Sequence, residues 1–269
     1  MPTVKLKDVE LYYEAHGRGR PFVFLNATAS DCEVWKIYQV PEFSRDHRVV
    51  LFDYRGTGRS GKPSIKYSTQ MFAADLAALM DHLQADQAIV LGHSMGGRVA
   101  QLLALDHPDK VQKLILASTG ASFPETKGLP FKVCQGMIER GYENYLRHHW
   151  LEVGFTKEFA DKNPNLVERY LQARFAHLCP VEFNLRHLIA RQEHDTSDRL
   201  KEISVPTLIL IGSEERDASS DLSHQASTEA LALGIPHARR VTLPDAKHAY
   251  FASHPEFVHR VIREFLEQD

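Results

Sequence analysis

The sequence predicts an α/β fold: a mostly parallel, twisted sheet flanked by helices, with a helical insertion near residues 122–203. Three observations carry that prediction. Short, nearly continuous apolar runs recur along the chain, as strands buried on both faces require. Segments in which apolar residues return every three or four positions separate several of these runs, which is the helical period, and strand–helix–strand alternation gives parallel pairing with helices on both faces. Between Ser122 and Ile203 the strand signal disappears, and aromatic, His and Arg residues fall on helix-like spacings broken near Pro164 and Pro180.

The elements follow in order. MPTVKLKDVELYYEAHG alternates apolar and polar residues and has no apolar signal core, so it reads as the first strands rather than a leader. FVFLNA (22–27), RVVLFDY (48–54), AIVLGH (88–93), KLILAS (113–118), TLILIG (207–212) and ARRVTL (238–243) are the strands of the main sheet. Residues 71–83 and 98–105 carry helical periodicity, and 255–266 is the closing helix. Residues 1–121 and 204–269 are thus expected to form the core, and 122–203 a cap. An insertion that leaves the carboxyl end of one strand and returns before the next overhangs the place where parallel sheets bind ligands.

Composition narrows the function. At 269 residues, with 43% hydrophobic and 25% charged, the chain suits one soluble globular unit with a sizeable core. No apolar run approaches the roughly 18 residues of a membrane span, and a cytoplasmic location is expected. The net charge of −3, with Lys and Arg spread along the chain, argues against a nucleic-acid surface. Cys32, Cys134 and Cys179 are far apart and without CxxC spacing, which points to free thiols rather than zinc or redox chemistry. The default partner is a small molecule; no cofactor or metal is called for, and the sequence carries no signal of oligomeric state.

VLGHSMGGRVA (90–100) places one serine among three glycines between a buried strand and a helix. Gly92-His93-Ser94-Met95-Gly96 fits G-x-S-x-G in the context that gives the pattern meaning, a strand-to-helix turn sharp enough to expose a nucleophile. Side chains at positions 92 and 96 would collide with that turn, and Gly97 permits close helix-to-strand packing. A serine hydroxyl needs a base. Of fifteen histidines, His248 in LPDAKHAYFASHP follows the last strand in a loop leading into the closing helix, where an imidazole can hang over Ser94. His254 competes, but reads better as a helix-entry residue before Pro255. The base in turn needs a carboxylate to fix its tautomer. Gly212-Ser213-Glu214-Glu215-Arg216-Asp217 offers three acids; Asp217 is the choice, a short acid at the far side of the loop, with Glu214 or Glu215 as the fallback.

The chain order Ser94, acid, His248 brings a resemblance to the α/β-hydrolase superfamily that covers almost everything outside the insertion. Asp53-Tyr54-Arg55-Gly56-Thr57-Gly58-Arg59-Ser60 resembles the family's D-x-x-G-x-G-x-S loop, and Trp35 stands where many members carry Trp after the oxyanion loop. HAYFASHPEF is similar to the histidine segment of small esterases and lactonases, including oxoadipate enol-lactonases and pimeloyl-carrier-protein methyl ester esterases. Where members usually have His-Gly after the third strand, this chain has Asn26-Ala27. The resemblance then implies the backbone N–H groups of Thr28 and Met95 as the oxyanion hole, and an esterase or lactonase working through an acyl-serine on a small ester or lactone.

Two motifs lead elsewhere and are set aside. Gly56-Thr57-Gly58-Arg59-Ser60-Gly61 matches GxGxxG, but Lys62-Pro63-Ser64 follows where dinucleotide binding needs a helix. His148-His149 has no HExxH partner and reads as surface or cap packing. Other readings stay open: carbon–carbon bond hydrolysis of ring-cleavage products, disfavoured because Ala249, Tyr250 and Phe251 replace the Trp usual after the histidine there, perhydrolase-type side chemistry, or a non-turnover ligand receptor on the same fold. Among Arg140, Arg147, Arg169, Arg174, Arg186 and Arg191, one is a candidate for meeting a substrate carboxylate; Phe123, Phe131 and Trp150 are candidates for an apolar pocket.

Overall fold

Along the strand Arg20–Leu25, Phe22 and Phe24 pack into one hydrophobic cluster while Val23 and Leu25 pack into another, so both faces of the sheet are buried. That two-sided burial is what the continuous apolar runs demand. The computed structural model describes residues 2–122, 129–215 and 224–268. Its strands are β1 (Thr3–Lys5), β2 (Glu10–His16), β3 (Arg20–Leu25), β4 (His47–Phe52), β5 (Ala88–His93), β6 (Val111–Ala117), β7 (Thr207–Gly212) and β8 (Arg239–Leu243), in the sheet order β1-β2-β4-β3-β5-β6-β7-β8. The β1–β2 and β2–β4 pairs are antiparallel and the rest parallel. The runs at 88–93 and 207–212 are strands with the predicted bounds, and the N-terminal segment supplies the first two strands.

The helices are α1 (Gln39–Phe43), α2 (Thr69–Leu83), α3 (Met95–Asp106), α4 (Leu129–Arg140), α5 (Tyr142–Gly154), α6 (Lys157–Lys162), α7 (Pro164–Arg174), α8 (Val181–Gln192), α9 (His224–Gly234), α10 (Tyr250–Ser253) and α11 (Pro255–Leu266). Helix α2 begins one residue after Ser68, whose hydroxyl accepts the Met71 N–H at 3.1 Å, an N-cap that fixes where the helix starts. Helix α11 lays Val258, Val261, Ile262 and Phe265 on one face of the sheet, against the cluster that includes Phe24, Leu91 and Leu210. Helices α2 and α3 cover the other face, with Leu76 and Val99 packed among Val23, Val90 and Leu116. Helices α4 to α8 lie between β6 and β7, in the stretch where strand signal is missing. Among the described residues no helix is long and apolar enough to cross a membrane.

The GxGxxG segment is a structural loop. Asp53, fully buried, accepts the N–H of Cys32 at 3.0 Å and the N–H and Nε–H of Arg59 at 2.9 and 3.0 Å, while Ser60 Oγ donates to the Asp53 carbonyl at 2.6 Å. No helix opens at its end, so the anion cradle of a dinucleotide fold is not built. The three cysteines are free; Cys32 and Cys179 are buried and Cys134 is half-buried.

Candidate active site

Ser94 sits between β5 and α3 with φ 56° and ψ −117°, a left-handed-side backbone that a non-glycine residue rarely adopts and that costs on the order of 1–3 kcal/mol. The neighbouring glycines make the turn sterically feasible. A Cβ on Gly92 would lie 2.3 Å from the Gly96 carbonyl oxygen, and one on Gly96 would lie 2.5 Å from that of Leu25, at the end of β3. The elbow therefore packs directly against the strand exit that leads to Thr28.

That exit is fixed by Asn26, one of the departures from the family pattern. Its Nδ2 donates to the Phe52 carbonyl at 2.7 Å, and its Oδ1 accepts the indole N–H of Trp35 at 2.7 Å. Asn26 is fully buried and Trp35 nearly so, so both bonds are made away from water. The side chain ties β4 to Trp35 and holds the loop in which Ala29 takes a positive φ of 52°. Thr28 lines the central cavity; Met95 directly follows Ser94 and opens α3, where the first N–H groups have no intrahelical acceptor.

His248 is buried, and it too lines this cavity. Its loop is held by the inserted helices: the backbone N–H of His248 donates to Val153 at 3.2 Å and that of Ala249 to Gly154 at 3.0 Å, both at the end of α5. His93 lies beneath, with ring centroids 4.5 Å apart, and its own burial holds its pKa well below the ordinary histidine value, so it stays neutral. His254 does not reach the site. It caps α11 and its Nδ1 meets the hydroxyl of Ser253 at 2.8 Å.

The carboxylate on His248 is Glu215. Its Oε2 lies 2.8 Å from His248 Nδ1, and also 3.2 Å from Nδ1 of His224. Oε1 accepts the Gly212 N–H at 3.1 Å and the Ser118 hydroxyl. Burial raises the Glu215 pKa, but the facing imidazoles outweigh it and hold the carboxyl well below the ordinary glutamate value. An ionised carboxylate only accepts hydrogen bonds, so Nδ1 of His248 is the donor to Glu215 and Nε2 is the ring nitrogen left for other partners. Asp217, the acid expected from the sequence, lies outside the described residues. Glu215 reaches His248 because the chain folds back at the end of β7, with Glu214 N–H on the Ala246 carbonyl at 2.9 Å and Glu215 N–H on that of Gly212 at 3.2 Å. The turn spends the distance that a shorter acid farther along was expected to cover.

Ser94, His248, Glu215 and Thr28 line one cavity of about 190 Å³, walled on its far side by α4, α5, α7 and α8. Of the three aromatic candidates for a pocket, Trp150 lines it, whereas Phe131 is 74% exposed and Phe123 lies outside the described residues. His149 lines it as well, while His148 faces outward toward Glu152, so only half of that pair is surface. His224 and Glu215 complete the histidine cluster; a ligand set of Glu215, His224 and His248 has the spacing for a cation, yet Glu215 already holds both imidazoles. Of the six arginines, Arg174 and Arg191 reach the cavity, Arg147 and Arg186 pair with Glu168 and Glu182, Arg169 lies over the Tyr38 ring, and Arg140 is exposed.

The elbow serine, the parallel sheet and the helices inserted after β6 are those of an α/β hydrolase. Residues 20–255 match the family model described as alpha/beta hydrolase fold, and the chain belongs to that family. It is similar to a protein of Azorhizobium caulinodans named for carbamate hydrolysis, at 29% identity over 98% of each chain. It is 30% identical to a pimeloyl-[acyl-carrier protein] methyl ester esterase of Aeromonas hydrophila, covering 94% of this chain and 98% of the other. The crystal structure of the enol-lactonase from Burkholderia xenovorans superposes with a TM-score of 0.88 at 25% identity, over 99% of this chain and all of that one.

Proposed function

We propose that the protein is a serine hydrolase that cleaves a small carboxylic ester or lactone through an acyl-serine intermediate. The observation that carries this reading is the bond from His248 Nδ1 to Glu215, made beside a strained elbow serine that opens on the same cavity. Ser94 Oγ attacks the carbonyl carbon as His248 Nε2 takes its proton. Glu215 holds the imidazole in the competent tautomer and stabilises the cation. The backbone N–H groups of Thr28 and Met95 receive the developing oxyanion; loss of one such donor typically costs about 2.7–4 kcal/mol. The imidazolium returns the proton to the leaving alcohol, which departs from an ester and stays tethered in a lactone. Water, deprotonated by His248, then attacks the acyl carbon and the Ser94 oxygen leaves with that proton.

In this reading residues 122–203 form a cap domain that selects the substrate, since α4, α5, α7 and α8 supply most of the cavity wall. The relative named for carbamate hydrolysis favours a second reading, in which the same acyl transfer acts on a carbonyl bearing nitrogen. A screen of esters of graded acyl length, several lactones and simple carbamates, run beside Ser94→Ala, tests both. Repeated turnover by the wild type with loss of at least a thousandfold in the variant is expected. Undiminished turnover in Ser94→Ala contradicts the mechanism, and a single stoichiometric burst in the wild type means a receptor.

A further inference from the structure

We infer that Arg174 is the receptor for a free carboxylate on the substrate, so that the preferred ester or lactone is an anion. This inference rests on the hydrolase reading above. Arg174 ends α7, is 6% exposed and lines the cavity that Ser94 opens on. A guanidinium has five N–H donors. Among the described residues a single hydrogen bond is made, from Nη2 to the backbone carbonyl of Thr28 at 2.8 Å, and the buried Nε–H has no acceptor. The Trp150 ring lies 4.4 Å from the guanidinium carbon and supplies a cation–π contact but no counter-charge.

The described carboxylates nearby are committed to other partners. Asp31, itself buried, is bonded to His177 Nδ1 at 2.8 Å and to the Glu33 N–H at 3.1 Å, and Glu215 holds His224 and His248. Arg55 shows how the same chain treats a buried arginine that serves the fold alone. At 2% exposure it makes four hydrogen bonds, two to Asp75 at 2.6 and 2.7 Å and two to Asp8 at 3.0 Å. An unpaired buried cation is costly, and burial accordingly lowers the Arg174 pKa. The missing partner is a planar anion with two acceptors, for which the guanidinium fork is matched.

The surroundings agree in sign. Within the described cavity wall Glu215 is the one carboxylate, and it faces His224 and His248, so no described acid there opposes Arg174. The Thr28 hydroxyl is buried without a partner among the described residues, and Thr28 lines the same cavity. One guanidinium thus joins the anion subsite to the loop that supplies the proposed oxyanion donor, which sets the carboxylate a short chain away from the scissile carbonyl.

The test compares monomethyl glutarate with methyl pentanoate and dimethyl glutarate, in the wild type, Arg174→Gln and Arg174→Lys, with glutarate binding followed by calorimetry. The wild type is expected to favour the monoanion in kcat/KM, and the ratio of anionic to neutral ester to fall about 10–100-fold in Arg174→Gln with partial rescue by Lys. An equal fall for all three esters reports the Thr28 contact alone and overturns the inference, as does a wild type with no preference. If Arg174→Gln fails to fold, the wild-type ratio and the Lys variant decide. If no ester is turned over, the hydrolase reading falls while the subsite stands or falls on calorimetry: glutarate bound by the wild type and lost in Arg174→Gln sustains it, and equal or absent binding in both refutes it.

Discussion

Glu215→Gln separates the structural assignment of the acid from the sequence-based one. Glu215 accepts from four donors: Nδ1 of His248 at 2.8 Å, Nδ1 of His224 at 3.2 Å, the Gly212 N–H at 3.1 Å and the Ser118 hydroxyl. Glutamine has the same shape but one acceptor oxygen. With that oxygen toward the histidines, its NH2 meets the Gly212 N–H, donor against donor, and leaving that buried N–H unsatisfied costs about 1–3 kcal/mol. With the oxygen toward Gly212, the NH2 donates to His248 Nδ1 and locks the tautomer whose Nε2 carries a proton and takes none from Ser94. In serine-protease triads the analogous acid-to-amide change costs about 10⁴ in kcat. A fall of about 10²–10⁴ in kcat is therefore expected, with KM moved little and a lower urea midpoint. Steady-state kinetics and denaturant titration on Glu215→Gln, Glu214→Gln and Asp217→Asn read it out. If Glu215→Gln keeps turnover within tenfold of wild type while Asp217→Asn abolishes it, the argument from the Glu215 contacts is wrong.

Gly96→Ala would bring a methyl group to 2.5 Å from the Leu25 carbonyl and 2.8 Å from that of Asn26, so it is expected to destabilise the fold by about 1–3 kcal/mol and to lower kcat by shifting the loop that carries Thr28; an unchanged urea midpoint would contradict the close packing. Trp35→Phe removes the donor to Asn26 Oδ1 and leaves a buried acceptor unpaired, at a cost of about 1–3 kcal/mol in the same titration. Glu14 is the pH-dependent case. Partial burial raises its pKa, but hydrogen bonds from Lys36, Tyr12 and His16 outweigh it and hold the value at about 2 against an ordinary 4.5. A folded pKa below the unfolded one contributes stability above pH 4.5 that is lost as pH falls toward 2. Glu14→Gln should thus be less stable at pH 7 by about 1 kcal/mol after solvent screening, with the gap closing on acidification. A gap that widens in acid has the wrong sign.

What the sequence made legible was what burial and backbone geometry write locally. The runs at 88–93 and 207–212 are buried on both faces, so composition alone marks them as strands, and Ser94 is marked by glycines that no other role explains. The place of His248 after the last strand agrees with its contact to Glu215 and its position on the cavity. The acid was less legible, because three carboxylates in six residues differ only in how the chain turns after β7: the fold-back brings Glu215 to His248, while Asp217, the sequence-based choice, lies outside the described residues. His149 and His224 were not legible as cavity residues, and Arg174 was legible only as one of six arginine candidates. Helical periodicity says which face of a helix is apolar, but not which neighbour it packs against, and the wall built by α4, α5, α7 and α8 depends on that packing. Asn26 was visible only as a departure from the family's usual His, and its two buried hydrogen bonds, which tie β4 to Trp35, were not legible in the sequence.

Covalent capture tests the central claim most directly. After treatment with a fluorophosphonate and digestion, mass spectrometry of the wild type should find one phosphonyl group on the peptide containing Ser94, with hydrolysis lost in proportion to labelling, and none on Ser94→Ala. A wild-type protein that turns over esters yet leaves Ser94 unmodified, with the label on another side chain, would show that this hydroxyl is not the nucleophile.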